Sequence, residues 1–236
     1  MGAGGEPGRR VPLNRERVLR AAIADADAHG IGSLNMRGLA QELGVVPMAL
    51  YKHVANKDDL LDGMLEQVVG GIEPAAATGE WKQDVRARIL AARRSLLGHP
   101  WVRTVLESRP AMTPAMLGYL DGLTGLFLDG GLTVDLTHHV MHLLGNRMWG
   151  FSQPLFAATP RSDTASFTAQ RDALPASHPH LAAIAMAAAH APGSGGGRGC
   201  DDQFEFEFAL DLVLDGVEVL HARGWSSTGR KAAPAG

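Results

Sequence analysis

The sequence predicts an all-α protein, with an N-terminal helix-turn-helix unit of three helices followed by a larger helical body. Apolar residues recur at three- and four-residue spacing along most of the chain, and no stretch sustains the period-two alternation of a half-buried strand. Asn, Pro and Gly stand where such helices would begin and end. Ala40, Gly44 and Leu50 supply, in that order, the small residue, the turn and the inward-pointing apolar side chain that two short, steeply crossing helices require.

Taken in order, residues 1–12 form a Gly/Pro/Arg tail predicted to be disordered. Val18, Ala21, Ala22 and Ala26 mark one face of a first helix over 14–29, and Gly30 stops it. Asn35 caps a second helix over 36–43, and Gly44 turns the chain. Pro47 suits the first position of a third helix running to about residue 53. Asn56 caps a fourth over 57–69, with Asp58 and Asp59 in its positive first turn. Further helices are expected over 81–97, 101–107, 114–128, 134–155 and 204–223. The stretch 159–202, rich in Pro, Ala, Ser and Gly, reads as a mobile loop holding one Ala-rich helix between 179 and 190. Residues 226–236 read as a second disordered tail. The expected domains are thus a head over 13–60 and a body over 61–225.

The chain has 236 residues, 45% hydrophobic and 20% charged, with a net charge of -3. Such a chain is long enough for one or two cores without disulfide or metal staples, which excludes collagen-like and fully disordered classes. Cys200 is the single cysteine, so no intramolecular disulfide forms and a reducing compartment is expected. The polar start lacks the apolar stretch of a signal peptide, and no apolar run nears the roughly 20 residues of a membrane span. A cytoplasmic protein without membrane contact is expected. Residues 1–60 carry eight basic and seven acidic side chains, so a weakly positive head precedes an acidic body.

Function is concentrated between Met36 and Val54. If Ala40 and Leu50 close the crossing, Leu39, Leu43, Val45 and Val54 face the core. Pro47, Met48, Ala49, Tyr51, Lys52 and His53 are left for the outer face, where double-stranded DNA would lie.

These residues also carry a family resemblance. Arg37-Gly-Leu-Ala40, Leu43-Gly-Val45, Leu50-Tyr-Lys-His53 and Asn56-Lys-Asp-Asp-Leu60 resemble the N-terminal domain of TetR-type repressors. Trp81, His99-Pro-Trp101, Arg109-Pro110 and the segment from Phe206 to Gly216 resemble the tetracycline-repressor-like C-terminal domain. The resemblance implies DNA contact by Arg37, Met48, Ala49, Tyr51, His53 and Lys57, and a dimer interface of four helices. Side-chain chemistry agrees for the head: Arg37 suits a bidentate contact to guanine, and Met48 and Ala49 suit a thymine methyl. Tyr51, Lys52, His53 and Lys57 suit phosphates. Two positions depart from the family pattern. Asp25 stands where an apolar residue is usual, which predicts a looser or shifted first helix, and Val46 replaces the common Ser cap.

In the body, the last helix carries two apolar stripes. Phe206, Leu210, Val213, Val217 and Leu220 form one, and Phe204, Phe208, Leu212 and Val219 the other, so one faces a partner subunit and a homodimer is expected. His139, His142, Asn146 and Trp149 share a face of a helix over 134–155 and are read as lining a small-molecule effector pocket, with Trp101, Met112, Met116 and Phe127 as apolar walls or as core. The fourth helix is the expected lever between body and head. His138 and His142 have the i, i+4 spacing of a metal pair, but no third ligand is evident, so neither a metal nor a cofactor is assigned. Where tetracycline repressors hold magnesium with a histidine, this chain reads Thr104-Val-Leu-Glu-Ser108, which disfavours tetracycline itself. No phosphate-binding Gly-rich loop or Gly-x-Ser-x-Gly elbow is present, so a DNA-binding repressor is the expectation, and an all-helical enzyme of unknown substrate or a metal-responsive repressor is the alternative.

Overall fold

The structure, a computed structural model, describes residues 12–74, 76–109, 111–151, 175–183 and 201–229. Its helices are α1 (Arg15–His29), α2 (Met36–Glu42), α3 (Pro47–Leu50), α4 (Lys57–Gly70), α5 (Trp81–Leu97), α6 (Trp101–Ser108), α7 (Pro114–Asp129), α8 (Val134–Leu144) and α9 (Asp202–Ala222), with a 3-10 helix at Gly145–Trp149 after α8. No strand occurs among the described residues. None of the helices found among them is long and apolar enough to cross a membrane.

Three of the first four helices start in the same way. The side-chain oxygens of Asn14, Asn35 and Asn56 accept hydrogen bonds from the backbone N–H groups of Arg17, Gly38 and Asp59, at 2.8, 2.9 and 2.8 Å. Each satisfies a donor that the helix itself leaves unpaired. α3 lacks such a side-chain cap and begins on Pro47, whose missing N–H needs no partner. It is also shorter than expected. The Leu50 carbonyl accepts from both His53 N and Val54 N, at 2.8 and 3.0 Å, and so tightens the chain into a turn.

By compactness the chain divides into Met1–Thr137 and His138–Gly236. In the first unit α4 packs on α1, α5 and α7, so the boundary expected at 60/61 falls inside a helix that packs against elements on both sides of it. Val18, Ala22, Leu50, Leu60, Met64, Leu65, Val85, Ile89, Leu123 and Phe127 are fully buried there. α1 is not loosened by Asp25, whose carboxylate pairs with His29 one turn on, at 2.8 Å, while Val18, Leu19, Ala22, Ile23 and Ala26 fill the core. Ala21 is only half-buried, so the stripe runs through Leu19 and Ile23 instead. Of the expected core positions of the motif, Leu39 and Val54 are buried, and Leu43 and Val45 half-buried.

The helix expected over 134–155 ends at Leu144. Gly145 adopts φ 45°, a left-handed conformation that an L side chain resists, and the chain continues as a 3-10 turn. α9 begins two residues before its expected start, because the Asp201 carboxylate accepts from Gln203 N and Phe204 N at 3.0 and 3.1 Å. Within the expected loop 159–202, residues 175–177 and 179–183 are helical, and 152–174 and 184–200 lie outside the described residues. So do 1–11 and 230–236, whereas 226–229 form a turn in which Ser226 Oγ accepts from Gly229 N at 3.3 Å.

Candidate nucleic-acid interface

The turn between α2 and α3 is set by backbone geometry. Gly44 takes φ 67°, and Val45 N donates to the Ala40 carbonyl at 2.9 Å, closing α2 just before α3 leaves it. Ala40 and Leu50 are both about 1% exposed or less, so they meet in the interior as the steep crossing needs. The opposite face is open. Pro47, Met48, Tyr51 and Lys52 are exposed, Ala49 and His53 half-buried, and Arg37 is exposed at the start of α2. Val46, which no sequence argument placed on this face, is 68% exposed beside Met48 at 72%. α3 and its flanks thus present an apolar patch with Tyr51 and Lys52, and α2 contributes Arg37, side chains suited to base edges, methyl groups and phosphates.

Its orientation depends on residues that the sequence did not single out. Arg15, in the first turn of α1, donates to the His53 carbonyl at 2.7 Å and to both carboxylate oxygens of Asp59, at 2.7 and 3.0 Å. Asp59 in turn accepts from Ala55 N at 2.7 Å. The Arg15 hydrogen bond, and then that of Ala55, hold the Asp59 carboxyl below the ordinary aspartate range. These contacts tie the end of α3 to α1 and α4. Lys57, expected on phosphate, donates its Nζ to the Leu34 carbonyl at 2.9 Å, so it also fastens α4 to the turn before α2. Such pairs join residues distant in sequence, and only the packing of helix faces could have revealed them.

Four carboxylates of α1 and α4 fasten these helices to α6, α7 and the segments flanking α6. Asp27 of α1 lies 2.9 Å from His99 Nδ1 and accepts from the Trp101 indole N–H at 2.7 Å. Arg109, just after α6, donates to Asp58 at 3.1 Å and to Asp62 at 2.8 Å. Glu66, one turn further along α4, accepts from Ala115 N at the start of α7, at 2.9 Å. α4 is therefore held at successive turns by α1, the end of α6 and α7.

The expected effector residues fall in both units. Trp101, Met116 and Phe127 are buried in the first unit, where the Phe127 ring sits 5.8 Å from that of Trp81. Trp149 is buried in the second unit. His139 and His142 are exposed, and the break at Gly145 removes the continuous helical face they were to share with Asn146 and Trp149. The Asn146 side chain lies outside the described residues. Met112 is 54% exposed and borders an open cleft of about 480 Å³, with Arg15, Leu19, Asp62, Glu66 and Thr113 also on its walls. Among the described residues no group of three or more His, Cys, Asp or Glu is placed to hold a metal ion.

Comparison with known proteins adds a second line of support. Residues 18–64 match the family described as "Bacterial regulatory proteins, tetR family", and residues 73–221 match "Tetracyclin repressor-like, C-terminal domain". The HTH-type transcriptional repressor DrrR1 of Streptomyces coeruleorubidus is 35% identical over 128 residues, which are 53% of this chain and 47% of that protein. Tetracycline repressor protein class D of Escherichia coli is 38% identical over 88 residues, 36% of this chain and 40% of that one. The chain thus spans less than half the length of these curated relatives. Among solved structures, a possible TetR family transcriptional regulator from Streptomyces coelicolor A3(2) superposes with TM-score 0.70 at 28% identity, covering 88% of this chain and all of that one. ActR of Streptomyces coelicolor in complex with actinorhodin superposes with TM-score 0.71 at 25% identity, covering 91% of this chain and all of that one.

Proposed function

Because the chain belongs to the TetR family of bacterial regulatory proteins, we propose that it is a cytoplasmic transcriptional repressor that binds a palindromic operator as a homodimer and leaves it on binding a small molecule. The observation that carries this reading is the exposed face of α3, Val46 to Lys52, braced from behind by Arg15, Asp59 and Lys57. In this role Arg37 reads a guanine, and Pro47, Met48 and Ala49 line the groove. Tyr51, Lys52, His53 and the remaining donors of Lys57 hold phosphates and set register. The protein acts by binding rather than turnover, as the names of its relatives suggest. The head over 13–60 reads DNA and the body over 61–225 receives the effector. ActR, solved with actinorhodin bound, supports a ligand-receiving body.

Release follows from linkage. A recognition helix reads bases only while both heads of the dimer sit in successive major grooves. An effector favouring another head spacing therefore competes with the operator, and α4 is the lever through which it acts. The head is tested by fluorescence anisotropy on operator and on random DNA. Arg37→Ala should weaken operator binding by about 1–3 kcal/mol and random DNA less. Equal losses on both would make Arg37 a phosphate contact instead. Lys57→Ala should weaken both and lower the salt slope by roughly one.

A further inference from the structure

We propose that α8 carries a binding site for a late divalent transition ion, formed by His138 and His142. It is independent of the operator reading. The two histidines stand one helical turn apart on α8, both exposed, with ring centroids 4.6 Å apart and planes inclined at 73°. An ion held by two imidazole nitrogens sits about 2.0–2.1 Å from each, which sets the two ring centres roughly 5 Å apart at tetrahedral or square angles. The backbone therefore already provides the required separation. Exposed rings reach the final geometry by side-chain rotation alone.

The neighbouring histidine has a different task. His139 points its ring at the Trp225 indole, edge to face at 5.5 Å, and so links α8 to the end of α9 within the second unit. His138 and His142 are left as the paired donors, and since no third protein ligand joins them among the described residues, water completes the coordination. The chemistry of the donors selects the ion. Neutral imidazole suits copper, zinc and nickel, with Cu²⁺ above Zn²⁺ in the usual order of stability, whereas Mg²⁺ and Ca²⁺ prefer oxygen. The pair occupies the last two turns of α8, immediately before Gly145 ends the helix. An ion bridging these turns fastens that end and stabilises the folded chain, because the unfolded chain does not hold the two rings in register.

The test uses the full chain, stripped of metal, in a non-chelating buffer. Cu²⁺, Zn²⁺ and Mg²⁺ are titrated separately by calorimetry into wild type, His138→Ala, His142→Ala and, as a control on another exposed histidine, His180→Ala. Circular dichroism verifies that each variant is folded. The expected result is one Cu²⁺ or Zn²⁺ per chain, Cu²⁺ tighter than Zn²⁺, and no Mg²⁺ uptake. Either ligand variant should bind at least tenfold more weakly, and the control within twofold of wild type. Saturating Zn²⁺ should raise the melting temperature of wild type and not of His142→Ala. Equal affinity in wild type and both ligand variants, or uptake of Mg²⁺ on a par with Zn²⁺, would overturn the assignment.

Discussion

At the scale of single residues, the geometry of the head rests on a guanidinium as much as the proposed DNA contacts rest on their own side chains. Arg15 serves four acceptors at once, the His53 carbonyl, both carboxylate oxygens of Asp59 and, at 3.4 Å, the Asp59 carbonyl, and its planar fork suits that task as an ammonium does not. Arg15→Lys keeps the charge and loses the fork. We expect it to lower operator affinity several-fold while binding to random DNA and its salt slope stay near wild type, because α3 is mis-aimed rather than discharged. Loss of both affinities in parallel would reduce Arg15 to a general electrostatic contribution. Residues of this kind were not legible in the sequence. Asn35 and Asn56 could be named as caps because their partners lie three residues away, but Arg15 and His53 are 38 positions apart. Likewise Lys57 was legible as a cation near DNA and not as a donor to the Leu34 carbonyl.

At the scale of helices, sequence punctuation located most ends, and it failed where Gly145 lies inside an otherwise helical pattern. A lone glycine costs a helix only about 1 kcal/mol, so sequence alone does not distinguish an interior glycine from a stop. The α7 terminus offers a sharper case. A methyl group added at Gly130 would overlap Trp81, which in turn packs on Phe127. Gly130→Ala should therefore destabilise the body by roughly 1–3 kcal/mol, measured by urea unfolding, even though its backbone φ of -73° is ordinary. The entry to α5 is fixed differently. Asp84 accepts from the backbone and hydroxyl of Thr78 and from Gly79 N, and these bonds, that of the Thr78 backbone foremost, hold its carboxyl below the ordinary range. A carboxyl lowered in the folded state stabilises above its unfolded pKa, about 4, and ceases to do so as pH falls through its folded value. Melting temperatures should accordingly fall below about pH 4, and Asp84→Asn should melt lower than wild type at neutral pH with a smaller further drop on acidification.

At the scale of the whole molecule, α9 shows why the chain is expected to act in pairs. Phe206, Leu210, Leu214 and Val217 are buried, whereas Phe204, Phe208, Leu212 and Val219 lie 46–63% exposed, and the rings of Phe204 and Phe208 stack at 6.4 Å. A stripe this apolar on an outer face suits the partner surface proposed for a dimer. Analytical ultracentrifugation at micromolar concentration should find a dimer, and Phe208→Glu with Leu212→Glu should yield a folded monomer that no longer protects a palindromic operator. A monomeric wild type would remove the dimer from the proposal. The sequence disclosed the outer stripe of α9 and most of the inner one, where Leu214 is buried and Val213 and Leu220 only half-buried, but not how the head is fastened, since that rests on carboxylates such as Asp27 meeting groups more than seventy residues away. This last contact has an optical consequence. The Trp101 indole is buried with its N–H bonded to Asp27, so its emission reports directly on whether α1 still touches the start of α6. Subtracting the spectrum of Trp101→Phe from that of wild type isolates this signal from the other three tryptophans, giving an intrinsic readout of head movement in solution without any attached dye.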